Sequence, residues 1–340
     1  MNKADKKLLT MLTYKRKEGS VGQKLFNERF LQPMMGKPDK FGNYICEVLP
    51  DGKINYDVVN PRTGIAFMAH HDTVHKTDGV QKVIYDPVKQ YAYVEHDECL
   101  GADCTTGVWL ILEMVRNKVP GIYIVHSGEE CGGIGSSSLV KSYPKWLLAI
   151  DFAISFDRMG TDSIITHQMG MRCCSESFVS DLESILNLNL KSDSGGVYTD
   201  SFEYADDVSE CTNISVGYYN QHSKHEYQDV GFAIKLRNRL ITADWSKLKP
   251  YRDPSITEWD DWKQSRSGGG WTSQNYISSY DRGYYNNTTV SQRDIDTLCE
   301  KYRNVESIVQ NYPYEVAEIL MEQGYTKEGL IRDILTQHEW

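Results

Sequence analysis

Residues 65–72 read Ile65-Ala66-Phe67-Met68-Ala69-His70-His71-Asp72. Five apolar residues run straight into two imidazoles and a carboxylate. An unbroken apolar run shows no in-out alternation, so it fits a strand buried on both faces of a mixed or parallel sheet. Two further runs share this design. Residues 121–125 (GIYIV) are followed shortly by Glu129-Glu130, and residues 152–156 (FAISF) end in Asp157. Between the first two, residues 107–115 (GVWLILEMV) form a buried helix once their flanks are included. Residues 176–186 form a second helix, and residues 6–12 and 22–31 also read as helical. Residues 44–48 read as a strand before a turn at Asp51-Gly52. The expected fold class is therefore α/β: a mixed, mostly parallel central sheet flanked by helices.

In open α/β sheets, ligands gather at the carboxyl ends of the strands. Three such ends here carry His70, Glu130 and Asp157, and Asp103 lies in LGADCTTG just ahead of a helix. Singly, each has a plain explanation: a loop histidine, a solvated glutamate pair, an aspartate capping a helix. Jointly, imidazole and carboxylate converge on one sheet edge, which is the pattern of a metal site.

The bulk composition agrees with a folded globular protein. The chain has 340 residues, 40% hydrophobic and 25% charged, which excludes wholesale disorder. A net charge of −10 repels phosphate backbones and argues against nucleic acid as the main partner. The basic stretch Lys6, Lys7, Lys15, Arg16, Lys17 reads as a solvated helix face. No run approaches the ~20 apolar residues that span a bilayer, so no membrane partner is expected. The start, MNKADKKLLTML, lacks a long apolar stretch followed by small residues, so no signal peptide is expected and the cytoplasm is the default location. Eight cysteines, none in a Cys-x-x-Cys pair, read as free thiols of a reducing compartment.

Composition shifts near residue 250. Residues 251–290 read as a linker, whose centre, SRSGGGWTSQNYISSYDRGYYNNTT, is rich in Gly, Ser, Asn and Tyr and has no periodicity. Residues 291–340 then read as a small helical module. Ser291 with Asp294 resembles a capping box, Gly324 a C-cap and Thr326 an N-cap. The expected domains are thus 1–250 (an α/β domain bearing the candidate metal residues), 251–290 (linker) and 291–340 (helical module of unassigned role).

The motifs resemble the di-zinc exopeptidase and deacylase superfamily, which includes peptidase T, acetylornithine-deacetylase types and bacterial di-zinc aminopeptidases. Asp39-Lys40-Phe41-Gly42-Asn43 resembles its Asp-x-x-Gly-Asn entry strand. Ala69 to Val74 resembles His-x-Asp-x-Val, and Leu100-Gly101-Ala102-Asp103 resembles Gly-Ala-Asp. Ser127 to Ser136 resembles Glu-Glu-x-Gly-x-x-Gly, and His222 to Glu226 resembles His-Ser-x-x-Glu. The match covers roughly residues 5–245. The resemblance implies a zinc-exopeptidase-like (phosphorylase/hydrolase-like) sheet and two Zn2+ ions, with Co2+ or Mn2+ as substitutes. His70 and Asp157 hold one ion, Glu130 and His222 hold the other, and Asp103 bridges them. It further implies Glu129 as general base on a metal-bridging hydroxide and Asp72 as the partner that orients His70. His71 should point away along its strand. His225 competes with His222 for the last ligand position, and the resemblance favours His222. His75, His96, His126 and His167 read as structural or surface residues.

Two departures matter. Cys104 stands where many relatives have a second Asp; it and Cys131 read as core residues near the site. Only 65 residues separate Asp157 from His222, too few for the dimerising lid that many relatives insert there. The chain therefore reads as lidless. Ser194 to Ser201 (SGGVYTDS) reads equally as a turn or as a pocket wall shaped by Asp200. The expected activity is amide hydrolysis, aminopeptidase-like, on peptides or small acylated substrates. A carboxypeptidase or N-acyl-amino-acid deacylase is the near alternative, with Arg158 and Arg172 as carboxylate anchors. An inactive peptide-binding module is the alternative of a different class.

Overall fold

The computed structural model describes residues 3–256; the linker centre and the expected helical module fall outside the described residues. Eight strands form the main sheet: β1 (Tyr44–Val48), β2 (Ile54–Asn55), β3 (Ile65–His70), β4 (Gly121–His126), β5 (Phe152–Arg158), β6 (Ser163–Ile165), β7 (Lys191–Asp193) and β8 (Glu210–Ser215). Their spatial order is β7-β6-β8-β5-β3-β4-β1-β2. The pairs β8·β5, β5·β3, β3·β4 and β6·β7 are parallel, whereas β6·β8, β4·β1 and β1·β2 are antiparallel. The sheet is mixed and mostly parallel, as the apolar runs predict.

The central strands are buried along almost their whole length. Phe67 on β3 anchors the layer beneath. Its ring stacks on Tyr123 and Phe156 and meets Trp245 edge-on. Such aromatic pairs add to the apolar area they bury. Helix α1 (Lys3–Met11), helix α2 (Ala102–Arg116) and helix α3 (Val230–Thr242) pack together, with α2 directly on β3 and β5. Residues 102–115 of α2 are all buried, so this helix has no polar face to spare. Gly107 makes the close approach possible, because a Cβ there would collide with the Phe156 carbonyl oxygen.

Two local expectations are corrected. The stretch 22–31 is not one α-helix; Val21–Phe26 is α-helical, Asn27–Leu31 is a π-helical turn and Gln32–Met35 closes it. The basic stretch is not a single solvated face. Lys15 lies in a short strand and Arg16 is fully buried. Arg16 is held inside by hydrogen bonds to His71 O (3.2 Å) and Thr105 Oγ1 (2.5 Å) and by the Phe26 ring, 4.2 Å from its guanidinium carbon. Those partners lie up to 89 residues away, beyond the reach of a local charge pattern.

Candidate metal centre

β3, β4 and β5 run parallel and end side by side, so the residues that follow them meet at one edge. His70, the last residue of β3, is buried. Its Nε2 faces Asp103 Oδ1 at 3.2 Å, Asp157 Oδ1 at 3.4 Å and Glu129 Oε2 at 3.9 Å. On its other side, Nδ1 lies 3.3 Å from Asp72 Oδ1. Asp72 also accepts the backbone N–H groups of Glu129 (3.2 Å) and Glu130 (3.0 Å), tying the β4 loop to the β3 end.

Asp103 sits in the first turn of α2, where the backbone leaves helical geometry (φ −78, ψ 106) and the Asp103–Cys104 peptide is cis. Gly101 before it adopts a left-handed φ of +72. That conformation suits glycine, and a Cβ there would press on the His75 ring. The turn is held from below by Glu226. This buried carboxylate accepts the N–H groups of Gly101 (2.7 Å), Ala102 (2.8 Å) and Asp103 (3.1 Å). Glu226 closes the motif that begins at His222, and nothing local in the sequence assigns it this task.

The second Asp103 oxygen, Oδ2, lies 3.2 Å from His222 Nε2, which also faces Glu130 Oε1 at 3.0 Å. His225 is exposed and belongs to none of these contacts. His71 turns away: its Nε2 lies 3.2 Å from Gly42 O and its Nδ1 3.1 Å from Gln23 Nε2. Asp157 accepts from Thr199 Oγ1 at 2.8 Å and from Tyr218 OH at 3.3 Å, and its backbone pairs with the Asn213 amide. The SGGVYTDS segment thus reaches the site through Thr199.

Cys104 is buried and its thiol donates to Phe156 O at 3.0 Å. Cys131 is exposed, which corrects its reading as core; it follows Glu130 in a turn at the surface.

The electrostatics are those of crowded acids. Burial opposes a charge on His70, but Asp157, Asp103 and Asp72 outweigh it and raise its pKa well above the usual value. Hydrogen bonds to Asp103 and Glu130 push His222 up to about 11. Burial, then Asp157, Asp200 and Asp103, push Glu129 up to about 10, against the pull of His70. Burial and Asp103 push Asp157 up to about 6. Asp103 goes the other way: burial disfavours its charge, yet hydrogen bonds from His222 and His70 carry its pKa well below the usual range. Asp200, buried with neither carboxylate oxygen hydrogen bonded, is pushed up to about 8, chiefly by burial. Several carboxylates confined together need cations, and protonated imidazoles are a poor substitute for dications.

Among the described residues, three sets of ligand atoms lie within metal-binding reach of one another: His70 with Cys104 and Asp157, His70 with Glu129 and Glu130, and Asp103 with Glu130 and His222. Apart from the Cys104 thiol, which is turned to Phe156 O, the donors are imidazole and carboxylate, which suit zinc and neighbouring divalent metals. These residues fit the group that the sequence resemblance implies. A cavity of about 90 Å3 opens over them, lined also by Arg158, Met159, Ile165, Val197 and Tyr198. Arg172 is not among its lining residues.

No protein-family profile and no curated protein sequence matches this chain. Solved structures do resemble it. The TET1 peptidase of Pyrococcus horikoshii, described as assembling into a tetrahedron or a large octahedral shell, is 15% identical with a TM-score of 0.52, over 71% of this chain and 99% of that one. A tripeptidase from Staphylococcus aureus is 14% identical with a TM-score of 0.53, over 70% and 97%. The aminopeptidase PepT from Bacillus cereus is 13% identical with a TM-score of 0.53, over 70% and 96%. At these identities the likeness establishes that this chain shares their fold.

Proposed function

We propose that this chain is a metal-dependent amide hydrolase, an aminopeptidase-like peptidase holding two divalent cations, zinc by ligand type. One observation carries the reading: the two oxygens of Asp103 face different imidazoles, His70 and His222, each at 3.2 Å. A carboxylate so placed is built to serve two cations. His70 and Asp157 would complete one position, and Glu130 and His222 the other. Bound there, the cations would polarise an amide carbonyl and lower the pKa of a water between them. Glu129 reaches the same space without being needed as a ligand. Placed beside the cation positions, Glu129 would take a proton from the attacking water and deliver it to the leaving amine. Asp72 positions His70 and, through two backbone bonds, Glu129 and Glu130.

The peptidase folds it resembles support peptide bonds as the target, by analogy. Residues 1–250 are the catalytic domain in this reading, without an inserted lid. Between Asp157 and His222 the chain builds β6, β7 and β8 and the helix Glu176–Leu186. No helix among the described residues is long and apolar enough to cross a membrane, and a cytoplasmic enzyme is proposed.

The test is elemental analysis of the purified protein, then turnover on a panel of peptides and N-acyl amino acids. Two equivalents of metal and hydrolysis lost on chelation are expected. Absence of bound metal, together with a Glu129→Gln variant indistinguishable from the parent, would sink the reading.

A further inference from the structure

The acidic ligands line only part of the cavity. Arg158 follows Asp157 directly on β5 and lines the same space. It is the sole arginine or lysine among the described residues lining it. Its Nη2 donates to Asp193 Oδ2 at 2.9 Å. Asp193 is itself held, because its Oδ1 accepts the Gly195 N–H at 2.7 Å. The guanidinium is therefore tethered from behind, and the tether uses a minority of its five N–H donors. Nε is buried and has no protein partner. Shut off from solvent, Nε is out of a substrate's reach, which leaves the terminal nitrogens Nη1 and Nη2 to meet one.

The neighbouring polar groups are committed elsewhere. Both ends of the Asn213 amide bond the Asp157 backbone, Tyr218 OH donates to Asp157, and Gln221 Nε2 lies 3.6 Å from Met159 Sδ. Met159, Ile165 and Val197 add apolar lining.

We propose that Arg158 anchors a carboxylate carried by the substrate beside the scissile amide. This rests on the reading of the cavity as a hydrolase site. The planar guanidinium, pinned by Asp193, offers a paired-donor edge that a carboxylate matches and an amide or ester does not. The carboxylate is supplied by the chain end of a short peptide or by an acidic side chain, and the two sources separate experimentally.

The metal-loaded protein is assayed on leucylglycine against leucylglycinamide for the chain end, and on glutamyl- against leucyl-p-nitroanilide for the side chain. In one pair the acid-bearing member is expected to be preferred by about 10- to 100-fold in kcat/KM, the range of a charge-assisted hydrogen bond. Arg158→Met should erase that preference, and Arg158→Lys, which keeps the charge without the fork, should retain part of it. Metal content and melting temperature of each variant are measured alongside. Binding is read separately by calorimetry on the Glu129→Gln protein, with leucylglycine and leucylglycinamide, and with glutamic acid α-amide and leucinamide. A preference for the acid that Arg158→Met abolishes supports the anchor even if no turnover is seen. Equal treatment of acid and neutral probes in both pairs, by turnover and by binding, overturns it. Absence of turnover on every substrate counts against the hydrolase reading instead, and the calorimetry still decides the fate of Arg158.

Discussion

Glu226 Oε1 accepts the backbone N–H of Asp103 at 3.1 Å across 123 residues of sequence. The same carboxylate takes two more N–H groups from the turn that carries Asp103. It therefore joins the loop bearing His222 to the turn bearing the residue between the two imidazoles. Removing it leaves three buried N–H groups unsatisfied at the start of α2, where the helix dipole favours an anion.

Glu226→Ala is accordingly expected to weaken metal binding by about 10- to 100-fold, the usual effect of losing a group that orients a ligand. Competition titration against a chromophoric chelator measures this. An unchanged affinity would mean that the turn keeps its shape without the carboxylate.

Asp103→Ala should behave differently from His222→Ala. Asp103 faces both imidazoles, so its loss should empty both positions, whereas loss of His222 should spare the His70–Asp157 side. Elemental analysis after dialysis gives the stoichiometry. Equal metal content in the two variants would contradict a bridging role.

Glu129→Gln is predicted to lower kcat by about 10²- to 10⁴-fold, the range for removing a general acid–base. The amide keeps the shape of the side chain and loses its proton traffic, so metal content should stay at the parent level. A comparable loss of metal and of rate would recast Glu129 as a ligand.

His75 controls an acid-labile step in stability. It is buried between Thr73 Oγ1 (2.8 Å), Gln81 Oε1 (3.2 Å) and Cys99 O (3.1 Å). Burial, aided by Arg16 and Lys15 and opposed by Gln81 and Glu98, holds its pKa down to about 4. The folded pKa lies below the unfolded value of 6.5, so the unfolded chain takes up the proton first as pH falls. The stabilisation is complete above about pH 6.5 and drains away toward about pH 4, amounting to about 2 kcal/mol between about pH 7 and about pH 5. Urea unfolding of parent and His75→Gln at both pH values tests this. The gap between them should shrink by that amount at the lower pH, and a constant gap would refute it.

Gly107→Ala should destabilise the fold by about 1–3 kcal/mol, as overpacking does. The new methyl group would push α2 off the Phe156 carbonyl oxygen and thereby shift β5, which carries Asp157. Thermal unfolding gives the cost.

Much of the frame was legible locally. The strand Tyr44–Val48 and the helix Glu176–Leu186 fall where their patterns put them, and β3, β4 and β5 contain their apolar runs and extend one or two residues further. A short continuous apolar run that ends in a charge fits a strand buried on both faces. The stretch 22–31 was less legible, because the π-helical turn after Phe26 depends on what the chain packs against.

The sequence by itself determined which residues end the central strands, and hence which imidazole and carboxylates a parallel sheet would gather, because an apolar run and the charge that ends it are local properties. The tertiary structure alone decided the rest. It buried Arg16 behind His71, set Glu226 beneath Asp103, turned His222 rather than His225 toward Glu130, and brought Arg158 to the cavity with Asp193 at its back. Each of these depends on groups brought together from distant parts of the chain, and only long-range packing fixes which of them meet.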